Sequence, residues 1–553
     1  MAHLSNDNSH GGFPASGRVD NVRHGSLDCM EAATDSTTFL GHPRGLAVLF
    51  FAEMWERFSF YGMRALLVLY LTQHFLFEDG VAATIYASYG SLVYLMPLLG
   101  GLIADRYLGF RKSVIFGAGL LVCGHFLMAY EGAPADVVDG MVVRDELALA
   151  VMYLALAFII VGVGFLKPSI SNIVGELYQQ NDRRRDQGFT LFYMGINLGA
   201  LSAMLLCGWL GQHEDYGWSY GFGLAGVGML VGLITFVRGS RWLSGVGAPS
   251  RPLVLTSRVM GVRRETIIYS AGFIVVVISW GLMQSREFVG AMLAIASIGA
   301  VVGVVGYAVM GCSRIERQRL LVVVFLTIVS VIFWTFFEQA GTSLTLFTDR
   351  NVDKYVLGFE MQASQMGFLN PLFIILLAPL FFIGWELLGR RGWEPSIPMK
   401  FGLGVLQAGL GFAVLVYGAQ FADTAGQVAV IWLVLAYLLH TTGELCLSPV
   451  GLSMVTRLSV PKIVGLMMGV WFLSSAGAHY LAGLIAGMAA VDAMPGGSVD
   501  AVSSLPVYTE TFRSLAYIGI ALGAVVMASA PLVRRYMHES ESDLVKVEPR
   551  PAE

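Results

Sequence analysis

The chain has 553 residues, 56% hydrophobic and only 13% charged, with a mean hydropathy of +0.66 and a formal net charge of −4. A soluble globular chain carries about 25% charged residues, so this composition excludes an ordinary water-soluble fold; with no basic patch interleaved with aromatics, it also excludes a nucleic-acid binder. The five cysteines, Cys29, Cys123, Cys207, Cys312 and Cys446, have neither metal-ligand nor redox spacing and read as small reduced packing residues.

Residues 1–42 are polar, with no basic segment leading into an apolar core, and read as a disordered cytoplasmic tail without a cleavable signal. Beyond them, apolar stretches predict fourteen transmembrane helices near 46–73, 83–104, 113–131, 147–168, 188–210, 219–238, 266–283, 288–309, 320–341, 364–387, 400–420, 426–447, 463–488 and 511–534. These runs are continuously apolar rather than alternating, which excludes a β-barrel. Lipid offers backbone polar groups no partner, so each span must satisfy them as a helix.

The first helix carries an anomaly in AEMWERFSFYGMR. Ionised groups in a spanning helix cost about 2.5–3.5 kcal/mol each on insertion scales, so they are functional candidates. At about 100° per residue, with Glu53 at 0°, Glu56 falls near −60°, Phe60 near −20°, Arg64 near 20°, Arg57 near 40° and Tyr61 near 80°. The stripe must line a polar interior. An i,i+4 ladder through Glu53 and Arg57 is the purely structural alternative, but Arg64 has no acid one turn away and needs a partner from another helix or a substrate carboxylate.

After the second helix, GGLIADRYLGFRKS places Asp105, Arg106, Arg111 and Lys112 in a tight basic turn. The aspartate suggests a pair that crosses a cytoplasmic gate; ordinary loop charge is the plainer reading. In the fourth helix Lys167 is followed by Pro168, which predicts a break at the cation. FYMGINLGA places Tyr193 and Asn197 one turn apart on the fifth helix, and the spacing of Gly195, Gly199 and Gly477 marks close helix packing. Asn197, and Asn370 beside Pro371, can each donate and accept, either to a substrate or to a neighbouring helix. Glu338 lies in FWTFFEQAG one turn after Trp334; Glu444 lies in HTTGELCLSPVG, where Gly443, Pro449 and Gly451 predict an interrupted helix with Ser448 one turn on.

Four buried acids (Glu53, Glu56, Glu338, Glu444) face three bases (Arg57, Arg64, Lys167). Full ionisation leaves one uncompensated negative charge in a low dielectric, and such a carboxylate takes up a proton readily. Arginine does not release its own. Proton exchange therefore falls to the acids. No P-loop, HExxH or GxSxG is present, so neither nucleotide-driven transport nor hydrolysis is supported.

One alternate set of loops holds twenty basic residues, among them Arg183, Arg184, Arg185, Arg251, Arg390 and Arg457; the other holds Arg144, Arg286, Arg350, Lys354 and Arg513. The positive-inside rule puts the first set, and both termini, in the cytoplasm. The basic stretch at 238–264 separates an N-terminal six-helix bundle (43–240) from a linker with an inserted helix pair (241–313), a C-terminal bundle (314–537) and a tail (538–553).

In combination, Glu53-x-x-Glu56-Arg57, the loop from Gly101 to Lys112, FYMGINLGA and GELCLSPVG resemble the proton-dependent oligopeptide transporter family of the major facilitator superfamily, over roughly residues 43–537. The resemblance implies an all-α polytopic major facilitator fold of two six-helix bundles plus two inserted helices, in a bacterial cytoplasmic (inner) membrane. It implies a monomeric proton-coupled symporter of di- and tripeptides, working by alternating access without cofactor or nucleotide. The alternative is another small solute on the same scaffold: an amino acid, nitrate or a peptide-like drug. By resemblance, Glu53, Glu56, Arg57 and Lys167 form the coupling cluster, and Arg64 pairs with Glu338. Lys167 and Arg64 hold the peptide carboxylate; Glu444, Asn197 and Asn370 hold its amino end. Tyr61, Tyr94, Trp334 and Trp471, with Ser448, line side-chain pockets. Phe60 departs from the pattern by standing where many members carry a second tyrosine, which removes a hydroxyl.

Overall fold

The computed structural model describes residues 38–179, 182, 184–249, 252–356, 358–491 and 499–538. Apart from 38–42 and His538, the expected tails lie outside the described residues, as do Cys29, Arg183, Arg251 and the side chain of Arg286. The chain is already paired before residue 43: Thr38–Phe39 runs antiparallel to His42–Pro43.

Fourteen long helices follow among the described residues. α1 covers Arg44–Leu69, α2 Asp79–Ile103, α3 Phe110–Met128, α4 Glu146–Glu176, α5 Arg184–Gln212 and α6 Trp218–Gly239. The inserted pair is α7 (Arg264–Gln284) and α8 (Arg286–Gly311). α9 covers Arg314–Phe337, α10 Leu369–Arg390, α11 Ile397–Gly418, α12 Val430–Leu458, α13 Val464–Met488 and α14 Ala501–Met537. Among the described residues, thirteen of these are long and apolar enough to cross a membrane. The fourteenth, α1, is 26 residues long and carries the charged stripe. The protein is a multi-pass membrane protein.

Local chemistry sets several helix starts. Asp145 caps α4 by accepting from Leu147 N and Ala148 N, both at 3.0 Å, and Ser313 with Glu316 forms a capping box on α9. Glycines then let helices touch: a Cβ at Gly100 of α2 would overlap the backbone carbonyl of Gly164 in α4, and one at Gly199 of α5 would overlap that of Met54 in α1. Gly477 does not share this role. Its nearest neighbour is Ser297 Oγ, 3.8 Å from an added Cβ, and it lines an apolar groove beside α8.

α1 packs on α5 and α6, and α4 on α2 and α3; in the second half α11 packs on α12 and α14, and α9 on α13. The halves meet through α2 with α13 and α5 with α10. Of the inserted pair, α7 lies on α4, where Trp280 Nε1 donates to Ala150 O at 3.2 Å, while α8 lies on α13 and α9.

Two expected helix breaks are not there. α4 runs unbroken through Lys167 and Pro168, and α12 through Gly443, Pro449 and Gly451. Proline removes one backbone donor, and packing on both sides keeps the remaining ladder helical. The break falls instead after Phe337, where Glu338–Gly341 tightens into a 3-10 turn before a short helix, Ser343–Asn351. A Cβ at Gly341 would overlap the Tyr86 hydroxyl, so glycine allows α2 to approach this turn.

Candidate functional site

A cavity of about 350 Å³ lies between the halves, within the range of small-molecule sites. Its lining brings together Glu53, Arg57, Tyr61, Arg64, Tyr94, Lys167, Asn197, Trp334, Glu338, Asn370, Glu444 and Ser448. A second cavity of the same volume, between α8, α9 and α13, is lined almost wholly by apolar side chains and carries none of these charges.

On α1 the stripe splits by a few tens of degrees. Glu53, Arg57, Tyr61 and Arg64 face the cavity. Glu56 and Phe60, at the negative angles of the helical projection, do not line it; the Phe60 ring stacks on Tyr89 at 6.5 Å between centroids. Phe60 therefore packs helix to helix, outside the cavity lining. Arg57 Nη2 donates to Glu56 Oε1 at 2.6 Å, and Arg57 Nε lies 3.3 Å from Glu53 Oε1. All three residues are buried, and the outer oxygen of Glu53 has no hydrogen-bond partner among the described residues. One guanidinium thus serves two carboxylates.

At the junction of the halves Arg64 Nη2 pairs with Glu338 Oε2, and Arg64 Nε donates to the Tyr86 hydroxyl. The other oxygen of Glu338 faces His479 Nε2 at 3.3 Å. Tyr86 and His479 were not singled out in the sequence. Each sits on an apolar helix where a lone polar residue ordinarily packs, and only the contact between α2, α9 and α13 gives them a role.

Lys167 lies within electrostatic reach of Glu53, Glu56 and Arg57, the cluster to which the resemblance assigns it, without a direct ion pair to them. Its Nζ lies 4.6 Å from the Tyr94 ring centroid, a cation–π contact; among the described residues it makes no ion pair. Across the interface, Asn370 Nδ2 donates to Glu444 Oε2 at 3.0 Å and lies 3.1 Å from Thr441 Oγ1. Glu444 has no cationic partner among the described residues. Asn197 Nδ2 donates to Tyr193 O at 3.0 Å on its own helix, and the residue lines the cavity.

Four expected residues fall elsewhere. Trp471 is not among the lining residues; its ring packs against Gly451, 2.7 Å from an added Cβ. Asp105 and Arg106 are exposed on a π-helical turn, Ala104–Leu108, and form no ion pair among the described residues. Arg111 Nε donates to Val246 O at 2.5 Å and its backbone N to Gly247 O at 2.9 Å, tying this turn to the linker. Gly109 permits that docking, with φ 73° and an added Cβ only 2.5 Å from Pro249 N.

The halves are sealed at the end carrying the start of α2. There Arg350 grips Asp79, Gln73 Nε2 donates to Asp349 Oδ2 at 2.8 Å, Ser364 N donates to Gln212 Oε1 at 2.9 Å, and Gln365 Nε2 donates to Leu205 O at 3.0 Å. Toward the arginine-rich end the cavity reaches Ser171 and Tyr193, both exposed.

A family model described as "POT family" matches residues 111–499. The chain is 39% identical to the peptide transporter YePEPT of Yersinia enterocolitica over 474 residues, 82% of this chain and 89% of that protein. It is 31% identical to dipeptide and tripeptide permease A of Escherichia coli, over 91% and 95% of the two chains. Among solved structures, a mutant peptide transporter POT in complex with alafosfalin superposes with a TM-score of 0.76 at 34% identity, covering 92% of this chain and 99% of that one. A POT family transporter in complex with 5-aminolevulinic acid gives 0.73 at 29% identity, over 90% and 98%.

Proposed function

The chain belongs to the POT family, and on that premise we propose that it is a proton-coupled symporter importing di- and tripeptides by alternating access. One observation carries the substrate reading. A cation, Lys167, and a carboxylate, Glu444, neither in an ion pair among the described residues, face one cavity from opposite halves. A short peptide presents a fixed carboxylate and a fixed ammonium with variable side chains between them. Lys167 and Arg64 take the carboxylate, while Glu444, Asn370 and the Asn197 carbonyl take the amino end. Tyr61, Tyr94 and Trp334 meet the side chains. A simple anion such as nitrate gains nothing from Glu444, which disfavours that alternative.

The Arg57 cluster and the Arg64–Glu338 pair supply the coupling. A peptide carboxylate competes with Glu338 for Arg64, and a proton on Glu338 removes the competitor. The energy source is the proton gradient, with neither cofactor nor nucleotide assigned. The positive-inside rule supports placing the arginine-rich loops and both termini in the cytoplasm of a bacterial inner membrane; the structure is then the inward-open state, sealed by Asp79 and Arg350. One chain encloses a complete site, which supports function as a monomer. The decisive experiment is uptake of radiolabelled alanine-containing dipeptides into proteoliposomes under an imposed inward proton gradient. Uptake should exceed that of protein-free vesicles and collapse with a protonophore; no excess across several peptides overturns the reading.

A further inference from the structure

We infer that His479 of α13 is a proton-binding residue of the coupling machinery, sharing one proton with Glu338 and thereby controlling the hold of Glu338 on Arg64. This rests on the proton-coupled reading above and adds a residue to it.

The argument is one of donors and acceptors. His479 Nδ1 lies 2.9 Å from the backbone carbonyl of Ser475, one turn earlier. A carbonyl only accepts, so Nδ1 carries a hydrogen. In neutral imidazole Nε2 then presents a lone pair, and it faces Glu338 Oε1 at 3.3 Å. Two lone pairs do not bind each other. In this dry place, where His479 and Glu338 are 5% and 4% exposed, the contact is favourable only with a proton between the two atoms. The proton makes the pair imidazolium and carboxylate, or imidazole and carboxylic acid; either way the pair holds one exchangeable proton. Nε2 has no other hydrogen-bond partner among the described residues.

The seat is built for this ring. A Cβ at Gly90 of α2 would stand 2.7 Å from His479 Cδ2, so glycine opens the notch that the imidazole fills. Gln339 Nε2 donates to Ala482 O at 2.9 Å, pinning α13 against the turn that carries Glu338. Charged and titratable groups face the pair from every side. Arg64 of α1 holds the second oxygen of Glu338, and Tyr86 of α2 accepts from Arg64. The Tyr94 ring of α2 lies 4.4 Å from the imidazole and carries Lys167 of α4 on its other contact. Tyr437 and Glu444 of α12 complete the cavity wall.

Charge then dictates the direction. With the proton present, His479 shares the carboxylate and Arg64 is freed for the peptide. With the proton gone, the Nε2 lone pair repels Oε1 and Glu338 turns wholly to Arg64, which expels the peptide carboxylate. Imidazole suits this task because its Nε2 can be either a neutral acceptor or, in the cation, a donor.

The test uses the full-length protein in proteoliposomes. His479→Gln keeps a side chain of similar reach but cannot become a cation. We expect gradient-driven dipeptide uptake to fall at least tenfold and its dependence on external pH to flatten, while peptide counterflow at equal pH stays within about threefold of wild type. In parallel, infrared difference spectra of wild-type protein with isotope-labelled histidine, titrated from pH 8 to pH 5, should show an imidazolium signal that is absent in His479→Gln and altered in Glu338→Gln. Gradient-driven uptake and a pH profile equal to wild type in His479→Gln overturn the inference. If the variant loses counterflow as well, the spectrum decides: no histidine signal dependent on both residues overturns it, and such a signal supports it. Wild-type protein without proton-driven uptake defeats the broader transport reading instead.

Discussion

Arg350 holds Asp79 with both arms of its guanidinium, Nη1 to Oδ2 at 2.6 Å and Nη2 to Oδ1 at 2.7 Å, and the same Nη1 lies 2.7 Å from the Tyr508 hydroxyl. The fork joins the start of α2 to the end of the Ser343–Asn351 helix, so it binds the two halves of the protein where the cavity is closed. Asp79 also accepts from Val491 N at 3.2 Å. A bidentate, desolvated pair of this kind is specific in geometry; removing one member leaves a buried charge alone, at a cost of about 3–5 kcal/mol.

Asp79→Asn should therefore destabilise the closed end and shift the population toward the state open there. Distances between spin labels at the exposed positions Met141 and Phe359 report this. The distribution should broaden to longer values in the variant and remain narrow in wild type. The double variant Asp79→Asn/Arg350→Gln should be milder than either single change, because no charge is then stranded.

Glu56→Gln should abolish gradient-driven uptake and leave some peptide counterflow. Glu56 does not line the cavity, so the substrate loses no contact; Arg57 loses a charged acceptor and is left with Glu53 alone. Equal loss of both activities would mark the cluster as purely structural.

Lys167→Gln removes the cation that we assign to the peptide carboxylate. A hydrogen bond to a charged group contributes about 1.5–3 kcal/mol, so affinity should fall roughly 10- to 150-fold in competition binding. Amidating the peptide C-terminus should weaken binding to wild type by a similar factor and make little further difference in the variant.

Glu444→Gln is the complementary test at the amino end. N-acetylated peptides should compete poorly against wild type, and the variant should discriminate between free and acetylated peptides much less. Asn370→Ala should produce a smaller version of the same effect, since Asn370 is a neutral partner of the amino end whose Nδ2 orients the Glu444 carboxylate, at 3.0 Å.

Gly100→Ala should lower thermal stability in detergent. The new methyl meets the backbone of Gly164 rather than a movable side chain, and overpacking of this kind costs about 1–3 kcal/mol. Gly477→Ala, with 3.8 Å to its nearest neighbour, should be almost neutral.

Much of the site was legible in the sequence because burying charge in lipid is costly, so each such residue stands out against an apolar background. The helical period then placed Glu53, Arg57, Tyr61 and Arg64 on one face, and the structure finds all four in the cavity. The period could not separate Glu56 and Phe60, because they differ from their neighbours by less than the width of a side chain's reach. Proline and glycine misled at Lys167 and Glu444: they weaken a helix locally, but packing on both sides kept α4 and α12 continuous.

Helix number, the charge asymmetry of the loops and the identity of the buried ionisable groups follow from the sequence alone, since each is a local consequence of transfer into lipid. Partnership does not. Arg64 with Glu338, Glu338 with His479, Asp79 with Arg350 and the seating of Lys167 over Tyr94 depend on how helices distant in sequence cross one another. The same packing ties Arg111 to the linker and turns Trp471 onto Gly451. An apolar helix carries the same hydropathy whichever neighbour it meets, so only the tertiary structure decides which charge faces which.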